Sequence, residues 1–200
     1  MTRCLRIVVD SILFLLLSFS TGWTATYYID FNAADDSANG TTKLTPWKHC
    51  PGMNGFSGSY SHEAGDRFIF KGGVEWLGKY ILIDQVGAGT SQNPDYYGID
   101  QTWYSGGSWS RPVLNANGGT SIMRISAAGG PAAWVTVEGI EFTGVVINTD
   151  ESYKANIYLY GLTGDVIFDN IYIHNWDKTS ATDGTASAIY YNPQNHTVAV

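Results

Sequence analysis

Two stretches decide the fold: WVTVEGIEFTG at 134–144 and DVIFDNIYIHNW at 165–176, which begin 31 residues apart. Each alternates apolar and polar residues, then loses step. Val135 and Val137 sit at odd positions, Ile140 and Phe142 at even ones; Val166 and Phe168 likewise precede Ile171 and Ile173. A straight strand with that slip would aim its second apolar pair at the opposite face. Gly139 and Asn170 stand at the slip in both stretches. Glycine takes left-handed backbone angles freely, and asparagine is among the few other residues that do so. One such residue turns a corner between two strands, and the phase change then returns Ile140 and Phe142 to the interior. The slip is a bend.

The bend recurs within a larger unit. HTVAV at 196–200 places Val198 and Val200 a further 32 residues beyond Val166 and Phe168. Short strands precede the corners: SIMRIS at 121–126, NIYLYG at 156–161 and AIYYN at 188–192. Strand, turn, strand, corner, strand, loop, repeated with a period near 31–32 residues, is the mark of a solenoid. Three strands per repeat around one apolar axis predict an all-β parallel β-helix with rungs about 4.8 Å apart. A β-sandwich of unrelated strands is the competing reading, and it leaves the matched corners unexplained. About three rungs are visible, and the last stops one strand short at Val200. The expectation is the N-terminal part of something longer.

Composition agrees and narrows the function. Tyr, Trp, Val, Ile, Thr and Gly abound, and no stretch beyond the leader shows a 3.6-residue stripe. The opening MTRCLRIVVDSILFLLLSFSTGWTA has a basic end (Arg3, Arg6), an apolar run at 11–20 and small residues beyond it. That predicts an export signal over 1–25, and hence a secreted, periplasmic or cell-surface protein. The run is short against the ~20 residues a membrane span needs, and no later segment could cross a bilayer. Without the leader, Cys50 is the sole cysteine and the net charge moves from −7 to −8 as Arg3, Arg6 and Asp10 leave. So few basic residues argue against nucleic acid as a partner. An acidic polymer would be repelled on average unless a local basic group or a cation intervenes. The chain divides into the leader, a cap with the first strands over 26–120, and rungs over 121–200.

Three further passages carry a family likeness. TYYIDFNAADDSANGTTKLTPWKH (26–49) has a Tyr-Tyr-apolar-Asp strand, an Asp/Asn/Gly-rich loop and a Thr-Pro-aromatic-Lys element. AGDRFIFKGGVEW (64–76) and GTSQNPDYYGIDQTWYSGGSWSRPVLNANGG (89–119) follow in order. Together they resemble the pectate-lyase-like superfamily of secreted right-handed parallel β-helix proteins. The resemblance implies a carbohydrate-active protein, as a polysaccharide lyase or glycoside hydrolase. The same fold also carries non-catalytic glycan-binding and adhesin modules, and an inert N-terminal fragment is a third reading. The helix that often follows the Pro-aromatic-Lys element in that superfamily is not expected here. HCPGMNGFSGSYSHEAG (49–65) is too rich in Gly, Ser and Pro, so the cap should be irregular.

In such a fold the interior is packed, and chemistry belongs on outer faces and loops. The loops 148–156 and 175–187 should stack, bringing Asp150, Glu151 and Lys154 near Asp177, Lys178 and Asp183. The resemblance implies Ca²⁺ on carboxylates such as Asp150 and Glu151, with a basic residue such as Lys178 taking a proton beside a uronate. Asp177 and Asp183, or Asp150 and Asp177, could instead serve as a hydrolytic pair. For binding a polysaccharide or surface glycan, the choices are His174, turned outward by alternation, and Trp103, Tyr104 and Trp109. Those aromatics could equally be cap packing. Asp30, Asp35 and Asp36 lie close enough for a cation, but Asx-turns explain them as well. Arg111 and Asp66, beside strand starts, should make local turn contacts.

Overall fold

Both slips are corners. Gly139 has φ 72° and Asn170 φ 49°, each between two short strands. The computed structural model describes residues 24–83, 89–126, 134–147, 155–162, 164–179 and 187–192. Their strands come in successive sets. A lone β1 (Thr26–Ile29) leads. The first set is β2 (Arg67–Gly72), β3 (Glu75–Leu77) and β4 (Ile81–Leu82). The second is β5 (Asp95–Tyr104), β6 (Val113–Asn115) and β7 (Ser121–Ser126). The third is β8 (Val135–Glu138), β9 (Glu141–Thr143), β10 (Val146–Ile147) and β11 (Ala155–Tyr160). The fourth is β12 (Val166–Asp169), β13 (Tyr172–Ile173), β14 (Asp177–Lys178) and β15 (Ser187–Asn192).

Corresponding strands pair in parallel from set to set. The sheets run β1-β2-β5-β8-β12, β3-β6-β9-β13, β4-β7-β11-β15 and β10-β14. Among the described residues there is no α-helix, and none long and apolar enough to cross a membrane. The fold is all-β with parallel sheets, consistent with a β-helix.

Two features differ from the sequence reading. Four sets stack, where the period showed about three. The spacing between partners is 29 residues from Arg67 to Tyr96 and 40 from Tyr96 to Thr136, and settles at 31 only from Thr136 to Ile167. The third and fourth sets also hold four strands instead of three, because a second corner follows the first. Gly144 (φ 77°) and Asn175 (φ 51°) turn it. The repeat at 196–200 lies outside the described residues.

The interior forms columns through the stack. Tyr27, Phe68, Tyr97, Val137 and Phe168 are partners in one register. Trp47 closes that column at the cap, its ring parallel to Tyr27 at 4.7 Å; Tyr27 stacks on Phe68 at 5.6 Å and Phe68 on Tyr97 at 4.8 Å. Phe68, Tyr97, Val137, Ile140 and Phe142 are fully buried. Each large apolar side chain so buried contributes roughly 1.5–3 kcal/mol relative to exposure. The cap over 49–65 is irregular, and Phe56 and Tyr60 pack edge-on against Trp47. Cys50 is buried beneath it, and burial pushes its thiol pKa up, which leaves it protonated and inert.

Candidate functional site

The outer face of the β4-β7-β11-β15 sheet carries a groove of about 680 Å³. Alternation places it. Along β7, Met123 and Ile125 point inward and are fully buried, so Arg124 and Ser126 lie on the other face. Along β11, Ile157 and Leu159 are buried, and Tyr158 and Tyr160 alternate with them. Register then aligns the outward residues across strands. Leu82, Arg124, Tyr158 and Tyr190 form one row, and Ser126, Tyr160 and Asn192 the next. Tyr158 and Tyr190 stack with centroids 5.7 Å apart and planes at 24°, and Tyr160 lies 5.9 Å from Tyr158. Tyr158 and Tyr160 line the groove, and Tyr190 stacks against Tyr158 beside it. Tyr80, 44 % exposed, lines the groove on the β4 side.

Polar partners surround the tyrosines. Arg124 brings a positive charge, and Thr120, Ser121 and Asn192 bring hydroxyl and carboxamide groups. Lys79 also lines the groove, although its ammonium reaches toward the ring of Phe31, 5.9 Å away. No Asp or Glu lines the groove among the described residues. The chain carries net charge −7, and among the described residues the groove lining holds an arginine and no carboxylate. The site is equipped to hold hydroxyl-rich, flat-ringed ligands by hydrogen bonds and ring contact.

Among the described residues, none of those singled out from sequence lines this groove. Trp103 is 8 % exposed, with its edge against Tyr28 at 5.2 Å and the Lys71 ammonium 5.6 Å from its centroid. It belongs to the packing, since a register shift between Phe70 and Gly72 turns the end of β5 over the first rungs. Tyr104, 39 % exposed, stands opposite Gly72 in the same shifted register. Trp109 is half-buried with its indole nitrogen enclosed beside Gly72. His174 does face outward, but its imidazole stacks on Tyr172 at 4.5 Å and its Nε2 meets Glu141 Oε1 at 2.8 Å.

Asp177 and Lys178 form β14, opposite Val146 and Ile147 of β10. That pairing sets the starts of the two expected loops side by side. Asp150, Glu151, Lys154 and Asp183 lie outside the described residues.

The aspartates of the first loop diverge. Asp30 accepts from Asn32 N at 3.0 Å and from Lys71 Nζ at 2.7 Å, while Asp35 accepts from Ser37 N at 2.8 Å, so each closes an Asx-turn. Asp36 is buried and accepts from His49 N at 2.6 Å and Ser57 N at 3.1 Å, with His49 Nδ1 at 3.0 Å. Among the described residues no three His, Cys, Asp or Glu side chains converge as a metal ion would require.

Arg111 corrects an expectation outright. Its partners are Asn170 O and, at 2.8 Å, Asn170 Oδ1, which are 59 residues away and in the elbow of the fourth set. Asp66 makes local bonds to Glu63 N at 3.2 Å and Tyr60 Oη at 2.7 Å, but also accepts from Ala25 N across 41 residues.

No family model matches the chain, and no curated protein does. Among solved structures, two of GH136 lacto-N-biosidase from Eubacterium ramulus are similar, as the selenomethionine derivative and the native protein. They are 14 % and 13 % identical over 84 % of this chain, each with a TM-score of 0.46. The chain spans 40 % of their length. A likeness of that degree speaks to neither activity nor substrate.

Proposed function

We propose that this is an exported, carbohydrate-active right-handed parallel β-helix protein that binds a polysaccharide or surface glycan in the tyrosine-lined groove. The single observation carrying the reading is the aligned outward row of Arg124, Tyr158 and Tyr190 beside Tyr160 and Asn192. Aromatic and polar side chains repeat there at the strand spacing of about 4.8 Å, which suits an extended ligand laid across strands better than a compact one. The basic, apolar-run leader supports export.

Degradation is the stronger form of the same reading. Asp177 and Lys178 would supply the chemistry together with Asp183, as a lyase or a glycoside hydrolase. Calcium held by Asp150 and Glu151 would offset a uronate carboxylate. The pairing of β10 with β14 supports that arrangement by bringing the loop starts together.

The test is retention of the protein in affinity gels containing polygalacturonate, xylan, arabinan or mucin glycans, with and without Ca²⁺, followed by assay for unsaturated uronates and new reducing ends. Retention by one of these, weakened about tenfold by Tyr158→Ala in a folded variant, is the expected result. Product release adds catalysis. Indifference to every polysaccharide would overturn the reading in favour of an inert fragment.

A further inference from the structure

The groove sheet does not end at β4. Residues 52–54 run antiparallel alongside it: Met53 bridges Ile81, Leu82 N donates to Gly52 O at 2.9 Å, and Asn54 N donates to Tyr80 O at 3.1 Å. This short stretch of the cap therefore bridges the edge of the same sheet. It extends the outer face one chain beyond the four strands, to about 19 Å at the usual spacing. A second cleft of about 250 Å³ opens on it, lined by Gly52, Met53, Asn54 and Phe56 together with Tyr80 and Leu82. Tyr80 and Leu82 line the main groove as well, so the two spaces share a wall.

We infer that the cleft is a further subsite of the same binding face, taking one uncharged sugar ring of a chain whose other units lie in the main groove. The inference rests on the glycan reading given above. Size is the first argument. At about 250 Å³ the cleft falls below the ~300 Å³ at which independent small-molecule pockets begin, so it serves as an extension and not as a separate site.

Chemistry is the second argument. No charged side chain lines the cleft among the described residues, whereas the main groove contains Arg124. Phe56 and Tyr80 supply flat apolar area. The Asn54 carboxamide oxygen accepts from Tyr80 N at 2.7 Å, which leaves its NH₂ group as the donor it can offer a hydroxyl. The same bond fixes the backbone at Tyr80, so the wall between the two spaces is pre-formed.

The experiment is calorimetric titration with fragments of two to six sugar units, prepared from the polysaccharide that the affinity gels retain. Phe56→Leu preserves apolar packing against Trp47 and removes the flat ring. Asn54→Asp keeps the acceptor for Tyr80 N and removes the donor, and so gives a second handle should the first variant unfold. The expected result is unchanged affinity for the shortest fragments and about fivefold weaker binding of the longest in both variants. Tyr158→Ala should weaken every length. If Tyr158→Ala weakens binding while both cap variants match the wild type at all lengths, the subsite is refuted and the groove stands. If Tyr158→Ala has no effect either, the groove reading fails with it.

Discussion

The third and fourth strand sets solve one geometric problem with two different residues. Each turns two corners in left-handed backbone, at Gly139 and Gly144 in the third and at Asn170 and Asn175 in the fourth. The difference lies in what is stacked beside them. A Cβ on Gly139 would fall within contact distance of Ile99 Cδ1 and 2.8 Å from its Cγ1, and one on Gly144 would collide with Asn115 Oδ1. Both obstacles come from the second set. In the fourth set the neighbouring corners are those two glycines, which have no side chains, and asparagine fits. Arg111, from the second set, then reaches past the level of Gly139 to clasp Asn170. In a stack, the residue allowed at a corner is chosen by the neighbour as much as by the backbone angle.

The largest expected effect breaks this comparison directly. Gly139→Ala adds a left-handed penalty and a clash with Ile99, together costing about 3 kcal/mol. Denaturant unfolding should show it as a lower midpoint with unchanged slope. Gly139→Asn tolerates the backbone and retains the clash, so it should lose less than the alanine variant but still about 1.5 kcal/mol. If Gly139→Asn behaves like wild type, the neighbour plays no part and the explanation fails.

A change of slope comes next, at the other end of the stack, where a neighbour is supplied instead of excluded. Asp66 and Asp95 precede partnered residues of β2 and β5, so they sit side by side in adjacent rungs, and both are fully buried. Asp95 accepts from Gly65 N at 2.9 Å and meets His62 Nε2 at 2.8 Å. The bond to Asp95 raises the His62 pKa; burial opposes the shift, and the charges of Asp95, Asp66 and Glu63 add to it. Tyr60, the remaining titratable neighbour, is held protonated by burial and by Asp66. A histidine whose pKa is higher folded than unfolded stabilises fully below the unfolded value near 6.5, and that stability is lost as pH rises through the folded value. Unfolding free energy measured from pH 6 to 9 should therefore fall more steeply for wild type than for His62→Gln. Parallel curves would show that His62 does not compensate the buried carboxylates.

These neighbour effects mark the boundary of what sequence reading could reach. The first corner was legible because apolar residues two apart flank it on both sides, Val135/Val137 and Ile140/Phe142 in one stretch and Val166/Phe168 and Ile171/Ile173 in the other. The second was not, since Val145 and Ile147 form such a pair in the third set but Trp176 and Lys178 stand in their places in the fourth, so the pattern does not repeat. Tyr158, Tyr160 and Tyr190 did carry a signal. They occupy the alternate positions of strands one period apart, but the denser aromatics at 96–109 are the stronger signal in sequence, and there the shifted end of β5 buries Trp103. Arg111 looks local in sequence because its partner, Asn170, comes close only after the rungs stack.

The smallest effect isolates that last contact. Asn170→Gly keeps the left-handed elbow and the backbone carbonyl that Arg111 also bonds, and removes only the bond to Oδ1; on an exposed surface this should cost about 1 kcal/mol or less. Arg111→Ala removes both bonds. In a double-mutant cycle the two changes should couple by about 0.5 kcal/mol, because each single variant already loses the shared Oδ1 bond. Additivity within error would mean that the guanidinium grips the elbow only through the backbone. Asparagine would then be present in the fourth set for its conformation alone, and the contrast with glycine in the third would reduce to sterics.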